Sequence, residues 1–146
     1  MGYGFGVWFV YDKDLFETEH IGHITIACFM QKEDAISLKN ELNSKITELL
    51  LTSDGSHILF DKNLYKHDKN NICSWGFEFY SKKWSFIKKI CNDYICSFSE
   101  TPHTSIEYGK FNDNFNIYDI EPVCLDGTIE VVDIRSDFPV DWKIIK

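Results

Sequence analysis

The pattern histidine, any residue, a hydroxyl residue, isoleucine occurs twice in the chain. It appears as His23-Ile24-Thr25-Ile26 and again as His103-Thr104-Ser105-Ile106. Imidazole is the side chain whose ordinary pKa, about 6.5, lets it take or give a proton near neutrality. Two imidazoles on opposite sides of one phosphate can divide those tasks, one neutral and one protonated, as in-line displacement requires. A hydroxyl beside each can donate to the non-bridging oxygens as negative charge builds on them. His23 and His103 are therefore the candidate acid–base pair, and Thr25 and Ser105 the candidate phosphate donors. Which histidine is the base is not legible at this level. A single His-x-Thr at a strand start is usually a polar end group. Two copies, each opening a strand and each in its own half of the chain, argue against coincidence.

Positioning such a set falls to the elements around it. "GFGVWFVY" (4–11) and "HITIACFM" (23–30) read as strands. A helix is expected over 32–50, with Ala35, Leu38, Leu42, Ile46 and Leu49 on one stripe at spacings of three and four. "DGSHILF" (54–60) is a turn leading into a strand, and "DKNLYKHDKNN" (61–71) a polar boundary. "SWGFEFY" (74–80) is a strand. A second helix is expected over 81–98, with Ser81 as N-cap and Trp84, Ile87, Cys91 and Tyr94 as its apolar stripe. Strands follow at 102–109 and 127–134, and "DFPVDWKIIK" (137–146) reads as a short edge strand or tail. The order predicts an α+β domain with mostly antiparallel pairing.

Strand parity then assigns faces, because residues i and i+2 point the same way. His23 and Thr25 project together, with Ile24 and Ile26 toward the helix-covered side. His103 and Ser105 project together, with Thr104 and Ile106 toward the core. Pro102 fixes the entry to the second motif strand. Phe5, Val7 and Phe9 form one core face of the first strand, leaving Gly4, Gly6 and Trp8 on the motif side. Two glycines there would allow close approach, and Trp8 could stack on a base. In 74–80, Trp75, Phe77 and Phe79 suit the core, leaving Gly76, Glu78 and Tyr80 outward. Glu107 follows Ser105 and could accept from the amino group of a base. Trp8, Tyr80 and Glu107 are the substrate-contact candidates, each against the plainer reading of an ordinary pleat position.

The paired motifs resemble the signature of the 2H phosphoesterase superfamily, defined by two His-x-(Thr/Ser)-x motifs in which x is often apolar. The departures are Ser105 for the commoner threonine and Thr104 for an aliphatic residue. The resemblance implies one domain over 1–146. Two pseudo-symmetric, mostly antiparallel lobes, roughly 1–66 and 67–146 with or without strand exchange, would face a groove with helices on the outer faces. It implies a metal-independent phosphodiesterase without a cofactor. The ribose hydroxyl next to the phosphate attacks, and a cyclic phosphate is product or intermediate. It also implies a ribonucleotide substrate. The short chain favours a small signalling nucleotide, a cyclic dinucleotide such as cGAMP or 2′,5′-oligoadenylate, of the kind small viral members destroy to evade host immunity. An RNA-end 2′,3′-cyclic phosphodiesterase of the LigT type is the alternative within the family. A non-catalytic nucleotide binder is the alternative outside it.

Bulk composition narrows the partners. The chain of 146 residues carries a formal net charge of −8, which disfavours a surface built to neutralise long nucleic acid. "SKKWSFIKK" (81–89) is a basic island that could guide a small anion. No segment reads as a signal peptide or as long enough to span a bilayer. The five cysteines fall at irregular spacing, which suits a reduced cytoplasmic protein. A monomer is expected. A structural zinc site built from His20, His23, His57, His67 and the cysteines is a weak rival, because no Cys-x-x-Cys is present and Cys91 and Cys96 do not share a helix face.

Overall fold

A computed structural model describes residues 4–11, 20–46, 51–53, 58–62, 72–109, 124–136 and 141–145. For 51–53, 58–62, 72–78, 105–109 and 124–125 it describes the backbone alone. In chain order the elements are β1 (Phe5–Val10), β2 (His23–Met30), α1 (Lys32–Lys45), β3 (Leu51–Ser53), β4 (Ile58–Lys62), β5 (Ile72–Tyr80), α2 (Trp84–Cys91), β6 (Ser97–Phe98), β7 (His103–Gly109), β8 (Cys124–Leu125), β9 (Thr128–Asp133) and β10 (Lys143–Ile145). The class is α+β, and every strand pairing among the described residues is antiparallel.

One sheet runs β10-β9-β1-β2-β6, so the late strands β9 and β10 return to the first strand of the chain. The other runs β4-β5-β3-β8, with β7 on β5. The sheets therefore do not follow the two halves of the chain. β6, β9 and β10 come from the second half and join β1 and β2, while β3 and β4 come from the first half and pair with β5. The expected closing strand is present as β10, at the edge of its sheet.

Alternation places the first sheet's core as the sequence suggests. Phe5, Val7 and Phe9 on β1 and Ile24 and Ile26 on β2 are buried. Ala35, Leu38, Leu42 and Ile46 of the α1 stripe close over them, and each large aliphatic buried this way contributes about 1.5–3 kcal/mol. Glu33 and Asp34 in the first turn of α1 and Lys45 in the last suit the helix dipole. Leu49, the last residue of the expected stripe, lies outside the described residues.

The second helix is shorter than its periodicity predicts. It starts at Trp84 and ends at Cys91, with Asn92 as C-cap. Trp84, Ile87, Ile90 and Cys91 are buried, and Tyr94 packs beside them from the turn beyond. The apolar spacing runs on past the end of the helix, so periodicity alone overshoots. Ser81 does not cap the helix itself. Its Oγ accepts from Lys83 N at 3.2 Å, two residues on, in the turn that leads in. Because the helix stops, Cys96 folds back and its Sγ reaches the Cys91 carbonyl at 3.5 Å, bringing together two cysteines that a continuous helix would hold on different faces. Both helices share one core with the first sheet, and Phe79 of β5 joins it from the second.

The close approaches anticipated at Gly4 and Gly6 are made by the protein itself. The register between β1 and β2 slips between Phe5 and Val7, and Phe29 sits there at φ 58°. This bulge brings the β2 backbone over Gly6, where a Cβ would stand 2.8 Å from the Ala27 carbonyl oxygen. The Arg135 side chain takes the equivalent space at Gly4. No helix among the described residues is long and apolar enough to cross a membrane.

Candidate active site

The two motif strands lie in contact, each starting at its histidine. A side-chain hydrogen bond joins them: Thr104 Oγ1 donates to the His23 carbonyl oxygen at 2.7 Å. Thr104 is fully buried, as parity requires. His23 and Thr25 lie on the face of β2 opposite Ile24 and Ile26, with Thr25 half-buried.

Each histidine is held in the same manner. Nδ1 of His23 bonds the carbonyl of Ile21 at 2.6 Å, and Nδ1 of His103 bonds the carbonyl of Thr101 at 3.0 Å. A carbonyl oxygen only accepts, so Nδ1 carries the proton in both rings. That leaves Nε2 of each ring to do any proton transfer.

The surroundings of the two rings differ. His23 is 4% exposed. It stacks on Trp8 with ring centroids 3.4 Å apart and planes 7° from parallel. His20 and Trp142 close in edge-on, with centroids at 5.7 and 6.0 Å. Burial pushes its pKa down to about 3, with His20 and His103 near enough to lower it further against the opposing pull of the Ile21 carbonyl. His23 is therefore neutral at neutral pH, with its basic lone pair on Nε2. His103 is half-exposed, and the Ser99 hydroxyl stands 3.5 Å from its Nδ1.

The aromatic candidates occupy different places. Trp8 pairs with Thr25 across β1 and β2, on the motif face, but it is 1% exposed. It is a floor under His23 and not an open stacking surface. Tyr80 is 63% exposed, past Glu78 on the alternation of β5. It borders a cleft of about 420 Å³ lined also by Trp84, Lys88, Phe98 and Pro102, beside the entry to β7. Ser105 stands opposite Gly76, and His103 opposite Glu78. One extra residue of β7 intervenes before Glu107, which stands opposite Trp75, so simple alternation from Ser105 does not reach it. The side chains of Ser105 and Glu107 lie outside those described.

No known protein family, curated protein or solved structure matches this chain. What can be said of the site comes from its own chemistry.

Two residues escaped the motif reading. Trp142 lies near the other end of the chain from His23, and no local spacing could connect them. His20 precedes His23 by three residues, a signal that was visible but pointed only toward metal binding. Among the described residues, no group of three histidine, cysteine, aspartate or glutamate side chains could hold a metal ion.

Proposed function

We propose that the chain is a metal-independent phosphodiesterase of the 2H type acting on a small ribonucleotide. The substrate would be a cyclic dinucleotide or a 2′,5′-linked oligoadenylate. The observation that carries the reading is the repeated tautomer lock. Both motif histidines give Nδ1–H to the carbonyl two residues back and so keep Nε2 for chemistry, on strands joined by Thr104.

In this reading His23 is the base. Its Nε2 takes the proton of the ribose hydroxyl beside the phosphate as that oxygen attacks phosphorus. His103 gives its Nε2 proton to the departing oxygen as the P–O bond breaks, leaving a cyclic phosphate and a free hydroxyl. Thr25 and Ser105 donate to the non-bridging oxygens. Water attack on a 2′,3′-cyclic phosphate is this step in reverse with water in place of the departed alcohol: His103 Nε2 takes the water proton, and His23 gives a proton to the ribose oxygen as the ring P–O bond breaks.

One observation favours a second reading, a nucleotide binder without turnover: His23 is almost wholly covered. A panel incubated in EDTA separates the two. It comprises cGAMP isomers, 2′,5′-oligoadenylate, 3′,5′-linked dinucleotides and nucleoside 2′,3′-cyclic phosphates, followed by chromatography and by direct binding. Loss of one substrate with a cyclic phosphate or monoester appearing, abolished in the His23→Ala/His103→Ala variant, supports the enzyme. Tight binding without turnover by the wild type supports the binder and ends the catalytic reading.

A further inference from the structure

Thr104 departs from the apolar residue that the motif pattern prefers, and it occupies a fully buried position. Its counterpart in the first motif, Ile24, is equally buried and fills the core. A hydroxyl in such a place needs partners, and Thr104 has two. It donates its one proton to the His23 carbonyl at 2.7 Å. The Tyr11 hydroxyl lies 2.5 Å from Thr104 Oγ1, and since the threonine proton is already committed, Tyr11 is the donor there.

The carbonyl that receives this bond has a definite reason to need it. Tyr11 N donates to the Gly22 carbonyl at 3.1 Å, so Val10 and His23, the next pair along, form the non-bonded pair of the antiparallel alternation. The peptide groups of His23 therefore turn away from β1. β6 joins the other edge of β2 only at Ala27 and Cys28. β7 runs in contact with β2 but has its ladder on β5. The Thr104 side chain thus links the backbone of one motif histidine to the residue immediately after the other.

We propose that Thr104, backed by Tyr11, is a positioning residue that sets the separation of the His23 and His103 imidazoles, so that one phosphate can engage both. The proposal rests on the reading of that pair as a phosphate site. Loss of the clamp releases the start of β2 from the start of β7, and a displacement of about 1 Å between paired catalytic groups is enough to cost on the order of 100-fold.

The test is NMR of the two imidazole rings during titration with inorganic phosphate, in the wild type and in Thr104→Val, Thr104→Ser and Tyr11→Phe, with melting curves to show that each variant is folded. In the wild type both rings respond with one midpoint. Thr104→Val weakens that midpoint about tenfold or more, or splits it into two. Thr104→Ser restores it, and Tyr11→Phe falls between. Folded Thr104→Val with an unchanged common midpoint overturns the clamp and leaves the phosphate site standing. Two unrelated midpoints, or no response, in the wild type overturn both. If Thr104→Val fails to fold, Tyr11→Phe decides: an unchanged midpoint there overturns the proposal.

Discussion

His23 and His103 open equivalent motifs and make the same bond through Nδ1, yet their settings are opposed. His23 lies between Trp8 below and Trp142 and His20 at its edges, with a 2.6 Å bond to Ile21. His103 is half-exposed and holds Thr101 at 3.0 Å. The shared bond fixes which nitrogen works. Burial keeps the His23 ring neutral, because removing solvent disfavours its charged form. In the proposed reaction the same motif would then serve on both sides, as base in a covered setting and as acid in a half-exposed one.

The largest effect that tests this contrast is on turnover. His23→Gln and His103→Gln should each lower kcat on a cleaved nucleotide by about 10²–10⁴-fold, the usual range for a lost acid or base. The pH profiles sharpen the roles. Loss of the base should remove the acid limb of kcat/KM, and loss of the acid the alkaline limb. If His103→Gln instead removes the acid limb, the roles are reversed.

The next effect is on stability at acid pH. The His23 pKa is about 3 in the folded chain against an ordinary 6.5. Between those values the unfolded chain binds a proton that the folded chain refuses, so stability rises with pH across that window. The contribution is complete above about 6.5 and is lost as pH falls toward about 3. At about 1.4 kcal/mol per unit it amounts to roughly 4–5 kcal/mol. Urea unfolding at about pH 7 and about pH 4 should show about 3 kcal/mol of this loss in the wild type and in His103→Gln, and much less of it in His23→Gln. Equal losses in all three would mean that His23 is not the group being kept neutral.

How much of this contrast was legible beforehand follows from which facts are local. The burial of Ile24, Ile26 and Thr104 came from a two-residue period, and the α1 stripe from spacings of three and four. Trp8 was assigned to the motif face by the same rule, but parity names a face without saying what lies on it. Here the nearest ring is the protein's own imidazole. The end of α2 was missed because Tyr94 continues the apolar spacing while no glycine or proline marks the stop. The return of β9 and β10 to β1 is a long-range pairing that no short window contains. Trp142 arrives beside His23 by that route, so the feature that most distinguishes the two histidines was the least visible in the sequence.

Trp142 offers a smaller and more local test. It meets both Trp8 and His23 edge-on, at 5.6 and 6.0 Å between centroids, and such contacts are each worth about 0.5–1.5 kcal/mol. Trp142→Ala should therefore cost about 1–3 kcal/mol in urea unfolding. More tellingly, it should open His23 to water and raise its pKa toward the ordinary value, read from the ring's NMR titration. A destabilised variant with an unmoved titration would assign the screening of His23 to Trp8 and His20 alone.

The smallest effect belongs to His103. Ser99 Oγ stands 3.5 Å from Nδ1, at the limit of a hydrogen bond, and its own proton goes to the Thr101 carbonyl at 2.9 Å. That carbonyl also receives Nδ1–H, so Ser99 and His103 share one acceptor. Removing the hydroxyl leaves the acceptor wholly to the imidazole, and the tautomer is unchanged. Ser99→Ala should then alter stability by less than about 0.5 kcal/mol, the usual size for a surface substitution, and change turnover by less than about threefold. A loss of tenfold or more would mean that His103 depends on Ser99 for its orientation. The half-exposed ring would then be fixed by its neighbours as the buried one is by the Ile21 carbonyl and the Trp8 stack, and the contrast would be between two rigid rings in different solvents.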